Sequence, residues 1–215
     1  MSLIFYYSPM STAMITDVVL EELGMPCERV TIELNKGQTH TPEYLRLNPN
    51  GKVPLLVHDG TPICESAAIT LYLGEIFGVA KGLYPAPGTE RGAAMKWIVW
   101  ANVTLAEAAG RWMRNTSEYY PVEQHNAKAA EAAKVDMRGC LHILDAALAG
   151  KPFLLGDYTL ADAHVNSVIR WLRFMEVDFS TYGNLNAWSQ RCTARPAHER
   201  AMARANQSTG NRSSD

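Results

Sequence analysis

The chain has 215 residues, 47% of them hydrophobic and 20% charged, with a formal net charge of −2. This composition supports one large or two small globular domains with a substantial core, and the near-neutral charge provides no broad basic field for nucleic acid or an anionic membrane. No run of about 18 uncharged apolar residues is present, so no membrane-spanning helix is expected. The start, Met1-Ser2-Leu3-Ile4-Phe5, lacks a basic segment and reads as a strand rather than a secretion signal. The four cysteines, Cys27, Cys64, Cys140 and Cys192, form no CxxC and no cluster of zinc spacing. A reducing, cytoplasmic location and no metal site are therefore expected.

Leu3 to Tyr7 is a short apolar and aromatic run, a strand. The polar break Ser8-Pro9-Met10-Ser11-Thr12 leads into a helix, in which Ile15, Val18, Val19 and Leu23 recur at helical spacing until Gly24 and Pro26 stop it. Cys27 to Leu34 alternates as a second strand. A polar loop follows to Thr41, then one helical turn over Pro42 to Leu47, and Asn48-Pro49-Asn50-Gly51 is a turn. Val53 to His58 and Thr61 to Cys64 read as a hairpin closed by Asp59-Gly60, and Glu65 to Phe77 as a helix. The order is β-α-β then β-β-α, which gives a small mixed sheet with helices.

The texture changes after Gly78. Val79 to Gly88 is rich in Gly and Pro and reads as a linker. Helical candidates then run over Thr89 to Thr116, Val122 to Ala149 and Thr159 to Glu176, with one or two shorter ones between Thr181 and Ala205. Thr159-Leu160-Ala161-Asp162 reads as a capping box with aspartate in the glutamate place. The end, Asn206 to Asp215, is small and polar and reads as a flexible tail.

Asn48-Pro49-Asn50-Gly51-Lys52-Val53-Pro54-Leu55-Leu56, then Glu65-Ser66, Ala68-Ile69 and Tyr72-Leu73, resembles the glutathione-site signature of the cytosolic glutathione transferase family, here of a bacterial type with a serine-like first loop. Thr159-Leu160-Ala161-Asp162 resembles the family's capping motif. The resemblance covers Leu3 to about Arg204. It implies an α/β thioredoxin-like domain over 1–78 that binds glutathione, a linker over 79–88, and an all-α helical-bundle domain over 89–205 that contributes a hydrophobic substrate site, with 206–215 as tail. It also implies a homodimer, with Tyr72 and Met95 as interface candidates.

Several residue roles follow from the resemblance. Val53-Pro54 is expected to be a cis peptide that turns the backbone of Val53 toward the cysteinyl unit of glutathione, as a one-residue added strand. By itself, the sequence would favour a trans proline opening an edge strand. Ser66, at a helix N-terminus, is expected to take the γ-glutamyl carboxylate, and Glu65 the ammonium group. Residue types alone would fit a plain N-cap there. Lys52 and His40 are candidates for the glycyl carboxylate.

Activation of the thiol calls for a hydroxyl at the start of the first helix. A thiol of pKa about 8.5 must lose roughly two units, or about 2.7 kcal/mol, and a hydroxyl donating to the sulfur supplies about 1.5–3 kcal/mol of that. Ser11 matches the catalytic serine of the serine-type classes. Thr12 matches the cysteine of a cysteine-type class, and Tyr6 or Tyr7 remain further alternatives. No cysteine stands at Ser11 or Thr12, which argues against a mixed disulfide with the protein. Met10, Arg111, Trp112, Tyr119 and Tyr120 are candidates for an adaptable apolar pocket opposite the thiol, with Trp171 as another. The reaction expected is attack of the glutathione thiolate on a hydrophobic electrophile. Specialised etherase, dehalogenase or isomerase chemistry, or a non-catalytic carrier or regulator, are the alternatives.

Overall fold

The computed structural model describes residues 1–210. Strands β1 (Leu3–Tyr7), β2 (Glu28–Thr31), β3 (Leu55–His58) and β4 (Thr61–Cys64) form a sheet in the order β2-β1-β3-β4. β1 and β2 are parallel, joined through α1 (Met14–Glu22). β1–β3 and β3–β4 are antiparallel. Strand alternation sorts the side chains into two layers. Leu3, Phe5, Tyr7 and Leu56 pack with Val19 and Leu20 of α1, with Leu23 just past its end, and with Ile69 and Leu73 of α3 (Ser66–Leu73). Leu55 and Val57 pack on the other face with Tyr44 of α2 (Pro42–Leu47), alongside Ile4 and Tyr6.

β2 is shorter than the run Cys27 to Leu34 suggests. It is an edge strand paired with β1 alone, and β1 ends at Tyr7. The Ile32 N–H makes a last bond to the Tyr7 carbonyl at 2.7 Å, after which the chain turns through Leu34–Lys36 to Gly37 at φ 65°. α3 continues through a wide helical turn, Gly74–Gly78. Both of its glycines face Tyr84, whose ring atoms or Cβ would lie 2.8 Å from an added Cβ. Tyr84 sits in the linker, so close packing ties the linker to α3. The Leu83 carbonyl also accepts from the Leu160 N–H at 2.8 Å.

Beyond the linker come α4 (Thr89–Trp100), a wide turn at Ala101–Ala106, α5 (Glu107–Arg114), α6 (Ala127–Ala147), α7 (Leu160–Phe174), α8 (Gly183–Thr193) and α9 (Pro196–Gly210). The segment read as one helix from Thr89 to Thr116 is thus interrupted by a π-type turn. α6 starts at Ala127 because the Asn126 side chain caps it, accepting from Lys128 N at 3.0 Å and Ala129 N at 3.1 Å. α7 starts on the capping box. Thr159 N–H and Oγ1 both meet Asp162 Oδ2, at 2.9 and 3.2 Å, and Ala161 N–H donates to Thr159 Oγ1 at 3.3 Å. Asp162 is fully buried, and its other oxygen accepts from Leu154 N at 2.9 Å and Trp188 Nε1 at 2.8 Å. The cap therefore also fastens α7 to α8. α9 runs into the stretch read as tail, and residues 211–215 of that reading lie outside the described residues.

α1 is buried on both sides. It packs on the sheet and against α7 and α9, with Ile15 in the helical core. Its acidic residues pin the two domains together. Glu22 takes a bidentate pair from Arg195 at 2.7 Å and the Tyr158 hydroxyl at 2.8 Å. Buried Asp17 and half-buried Glu21 bind Arg29 of β2 and Arg204 of α9. No helix among the described residues is long and apolar enough to cross a membrane.

Candidate active site

A cavity of about 310 Å³ opens between the loops at one end of the sheet and helices α7 and α9. Met10, Ser11, Thr12, Lys52, Val53, Pro54, Glu65 and Ser66 all line its sheet-side wall. Three separate loops bring them there.

The first loop precedes α1. Met10 has φ 57° and is exposed to the cleft. Ser11 Oγ donates to the Ser8 carbonyl at 2.6 Å and accepts from Ala13 N–H at 3.2 Å. Ser11 is therefore not an ordinary N-cap: the helix-start residue Ala13 already has helical angles, and Met14 N–H returns to the Ser11 carbonyl instead. The exposed Thr12 hydroxyl has no protein partner among the described residues. Neither tyrosine alternative lines the cleft. Tyr7 is buried and stacked on Phe5, and Tyr6 meets Tyr44 edge-on beneath the sheet.

The second loop carries Val53-Pro54, whose peptide is cis. The β3 ladders begin at Leu55, so the Val53 backbone stands outside both. The segment is braced through the Lys52 carbonyl, which accepts from Tyr44 Oη and Asn48 Nδ2, both at 2.7 Å. Asn48 Oδ1 accepts from Asn50 N–H at 3.1 Å and closes the turn. Asn48 also lines the cleft. Sequence reasoning placed this turn but not its bracing role. His40 does not line the cavity. It is exposed, paired through Nδ1 with Thr39 Oγ1 at 3.0 Å, and lies against Gly51, where an added Cβ would come within 3.1 Å of Nε2.

The third segment is the start of α3. Glu65 holds φ 70°, an uncommon conformation for a residue with a Cβ, and Ser66 is 6% exposed. A buried chain of polar groups stands behind Ser66. Thr70 Oγ1 meets His164 Nδ1 at 2.9 Å, His164 Nε2 meets Asn102 Oδ1 at 2.8 Å, and Asn102 Nδ2 donates to Ser66 Oγ at 2.9 Å. Burial pushes the His164 pKa down to about 3, so the ring is neutral. Asn102 Oδ1 can only accept, which puts the imidazole proton on Nε2 and leaves Nδ1 to accept from Thr70. With its oxygen already accepting from Asn102, Ser66 has its own O–H left to donate into the cleft. Asn102 sits in the wide turn Ala101–Ala106, a helix irregularity of the kind often found at functional sites. No Gly or Pro in the sequence marks that turn, and His164 is one of several polar residues along its helix, so neither residue stood out.

The opposite wall comes from other residues than those singled out along α5. Val168, Arg170, Trp171 and Phe174 of α7, with His198 and Met202 of α9, face the cleft, alongside Ala106. Arg111 instead pairs with Glu107 at 2.9 Å and with Asp136 of α6 at 2.6 Å. Trp112 packs on the helical core. Tyr119 is 86% exposed and borders a separate surface depression, and Tyr120 lines neither. The Arg111–Asp136 contact shows that this end of α5 turns toward α6. Of the pocket candidates, Met10 and Trp171 face the cavity.

No cysteine lines the cleft. Burial raises the thiol pKa of Cys27, Cys140 and Cys192. Among the described residues there is no group of three or more His, Cys, Asp or Glu able to hold a metal.

A four-stranded mixed sheet whose cis-proline loop and helix N-terminus open onto a cleft closed by a helical domain defines a thioredoxin-like domain coupled to an all-α partner. The family models "Glutathione S-transferase, N-terminal domain" and "Glutathione S-transferase, C-terminal domain" match residues 1–75 and 95–196, and the chain belongs to the glutathione S-transferase family. It is 30% identical over 210 residues to the disulfide-bond oxidoreductase YfcG of Escherichia coli strain K12, covering 93% of this chain and 94% of that one. It is 33% identical over 183 residues to glutathione S-transferase GstB of the same strain, covering 84% and 87%. A crystal structure of a glutathione transferase from Burkholderia graminis, with two glutathione molecules per subunit, superimposes with a TM-score of 0.83 at 26% identity, covering 94% of this chain and 87% of that one.

Proposed function

We propose that the chain binds glutathione along the sheet-side wall and uses its thiolate to attack an apolar electrophile on the helical wall. The observation that carries this is the convergence of Ser11, Lys52, Val53-Pro54 and Glu65-Ser66, from three loops, on one cavity whose far side is Val168, Trp171 and Phe174. In this reading the γ-glutamyl carboxylate meets the Ser66 hydroxyl and the free N–H groups of the first turn of α3. Glu65 takes the ammonium, the Val53 backbone pairs with the cysteinyl unit, and Lys52 takes the glycyl carboxylate, with His40 at most an outer contributor. The sulfur then lies at the start of α1, where the Ser11 or Thr12 hydroxyl donates to the anion. The thiolate forms the new C–S bond, and the electrophile either loses its leaving group with the bonding pair or, on addition, takes a proton from solvent. An etherase, dehalogenase or isomerase would use the same thiolate on a narrower substrate. An apolar pocket beside a thiolate also suits clearance of reactive compounds in a reducing compartment where glutathione is available.

The test is the ultraviolet absorbance of bound thiolate against pH. The expected result is a thiol that titrates well below its free value. Glutathione that binds with no shift would indicate a carrier or regulator instead.

Similarity to YfcG along nearly the whole chain favours a second reading, reduction of disulfides. The nucleophile would still be glutathione's own sulfur: the thiolate attacks a disulfide, forms a mixed disulfide with one half and expels the other half as thiolate. This needs no protein cysteine, in keeping with a cleft that has none. We also propose a homodimer. Exposed Val99 and Val103, one helical turn apart, and exposed Ile76 support an apolar face on α4 and on the wide turns that follow α4 and α3.

A further inference from the structure

Six arginines among the described residues are half-buried, and five of them meet carboxylates. Arg29 meets Asp17 and Glu21, Arg91 meets Glu75, Arg111 meets Glu107 and Asp136, Arg195 meets Glu22, and Arg204 meets Asp17 and Glu21. The sixth, Arg170, has no hydrogen-bond or ion-pair partner among the described residues, and it lines the cleft. Its charged surroundings repel it. Burial and, after it, the charge of Arg173 on the same helix lower its pKa. From α9 it faces His198, which burial and the Arg170 charge push down to about 4, leaving a neutral ring. Glu199 borders the outer depression that Arg170 also touches, but it forms no ion pair with Arg170. Glu65 is on the opposite wall.

Arg170, His198 and Met202 border both the inner cleft and this outer depression, so Arg170 stands at the boundary between the two. On the inner side it is flanked by Trp171 and Phe174 of its own helix. A guanidinium partly removed from water and left unpaired is costly, and its planar fork fits a carboxylate with two parallel bonds. We infer that Arg170 is the receptor for a carboxylate on the second ligand of this cleft, so that the co-substrates bear a carboxylate rather than being neutral. The inference rests on the proposed reading of the cleft and narrows its substrate class. The carboxylate has two possible sources: an acidic electrophile, or the second half of a glutathione disulfide.

The experiment uses the full chain, Arg170→Gln and Arg170→Lys. Conjugation of glutathione to 4-chloro-3,5-dinitrobenzoate and to its methyl ester is measured, each kcat/KM being divided by the uncatalysed rate. In parallel, glutathione disulfide and S-methylglutathione are titrated calorimetrically. If the source is an acidic electrophile, the acid-to-ester ratio drops about tenfold or more in Arg170→Gln and partly recovers in Arg170→Lys, while the ratio of disulfide to S-methylglutathione affinity holds. If the source is a second glutathione, the affinity ratio drops and the acid-to-ester ratio holds. If neither ratio moves, the inference is overturned. The reading beneath it fails separately: neither ester nor acid is turned over by the wild type, while the titrations still report on Arg170.

Discussion

On the sheet side of the cleft, Lys52, Val53, Pro54 and Ser11 are held by nearby structure: a turn braced by Asn48 and Tyr44, a proline, and the bonds of the Ser11 hydroxyl at the start of a helix. On the helical side, Arg170, Trp171, Phe174 and His198 owe their places to how α7 and α9 are rotated and packed, and the groups that fix the rotation lie deep in the domain. Asp162 and His164 both sit about two turns before Arg170 on α7, and both are fully buried. The sheet side is thus set locally and the helical side by long-range buried polar contacts. Damage should spread differently on the two sides.

The largest effect should come from Asp162→Ala. It deletes the acceptor for Leu154 N, Thr159 N and Trp188 Nε1 at once and leaves buried donors unpaired. The expected loss is about 3–5 kcal/mol of stability by denaturant unfolding. Thr159→Ala, which removes the hydroxyl of the cap alone, should cost about 1 kcal/mol. Equal losses would mean that the aspartate serves only the cap and does not fasten α7 to α8.

Acid should unfold the helical side next. The pKa of His164 is about 3 in the fold, against about 6.5 in an unfolded chain. Between these values the unfolded state binds a proton that the folded state refuses, so stability falls as pH drops below about 6.5. The slope approaches about 1.4 kcal/mol per pH unit, which gives roughly 2.3 kcal/mol between pH 6.5 and 4.5. His198, pushed down to about 4, acts in the same direction. Urea titrations at pH 7, 6 and 5 should show the decline, and His164→Gln should flatten it. An unchanged slope in the variant would mean that His164 takes up its proton without loss of the fold.

Much of the sheet side was legible because its signals are short. Asn48 to Gly51 had to turn and Asp59-Gly60 had to close a hairpin, and on the helical side the equally short Thr159 to Asp162 had to cap. The same holds for the order of strands, since a helix separates β1 from β2 and two residues separate β3 from β4. Arg111, Tyr119 and Tyr120 were placed in the pocket by their position near a helix end, but helix order does not fix rotation, and the Arg111–Asp136 pair turns that end away. Arg170 was not distinguished from other helix-face arginines. Its difference is the lack of a partner, a property of tertiary structure alone. Asn102 was hidden for a similar reason: the π-type turn that holds it replaces a regular helix with no change in composition.

The two sides meet at Ser66, and mutation there measures how far the helical side governs glutathione. Ser66→Ala removes the hydroxyl proposed to donate to the γ-glutamyl carboxylate and should weaken glutathione binding about 10- to 100-fold. Asn102→Ala leaves that hydroxyl in place but unaimed, and about fivefold weakening is expected. The double variant should bind no worse than Ser66→Ala, because Asn102 acts through Ser66. Additive losses in calorimetric titrations would instead mean that Asn102 meets the ligand directly.

The smallest effect should fall at Ser11, where the sheet side supplies chemistry rather than binding. Its proton is engaged with the Ser8 carbonyl at 2.6 Å, and it must rotate to the sulfur for the hydroxyl to donate there. The exchange loses one hydrogen bond for a charge-assisted one, so the net gain is a fraction of the full bond strength, about 1 kcal/mol or somewhat less than one unit in the thiol pKa. Thr12 has no such bond to give up, and its hydroxyl would act at full strength if it reached the sulfur. Ultraviolet titration of bound glutathione in Ser11→Ala and Thr12→Val separates the two. A rise of just under one unit in Ser11→Ala alone assigns the donor to Ser11. A larger rise in Thr12→Val gives the role to the neighbour and leaves Ser11 to shape the turn through Ser8 and Ala13. A thiolate unchanged in both variants would mean that the backbone N–H groups at the start of α1 are enough, and that neither hydroxyl activates it.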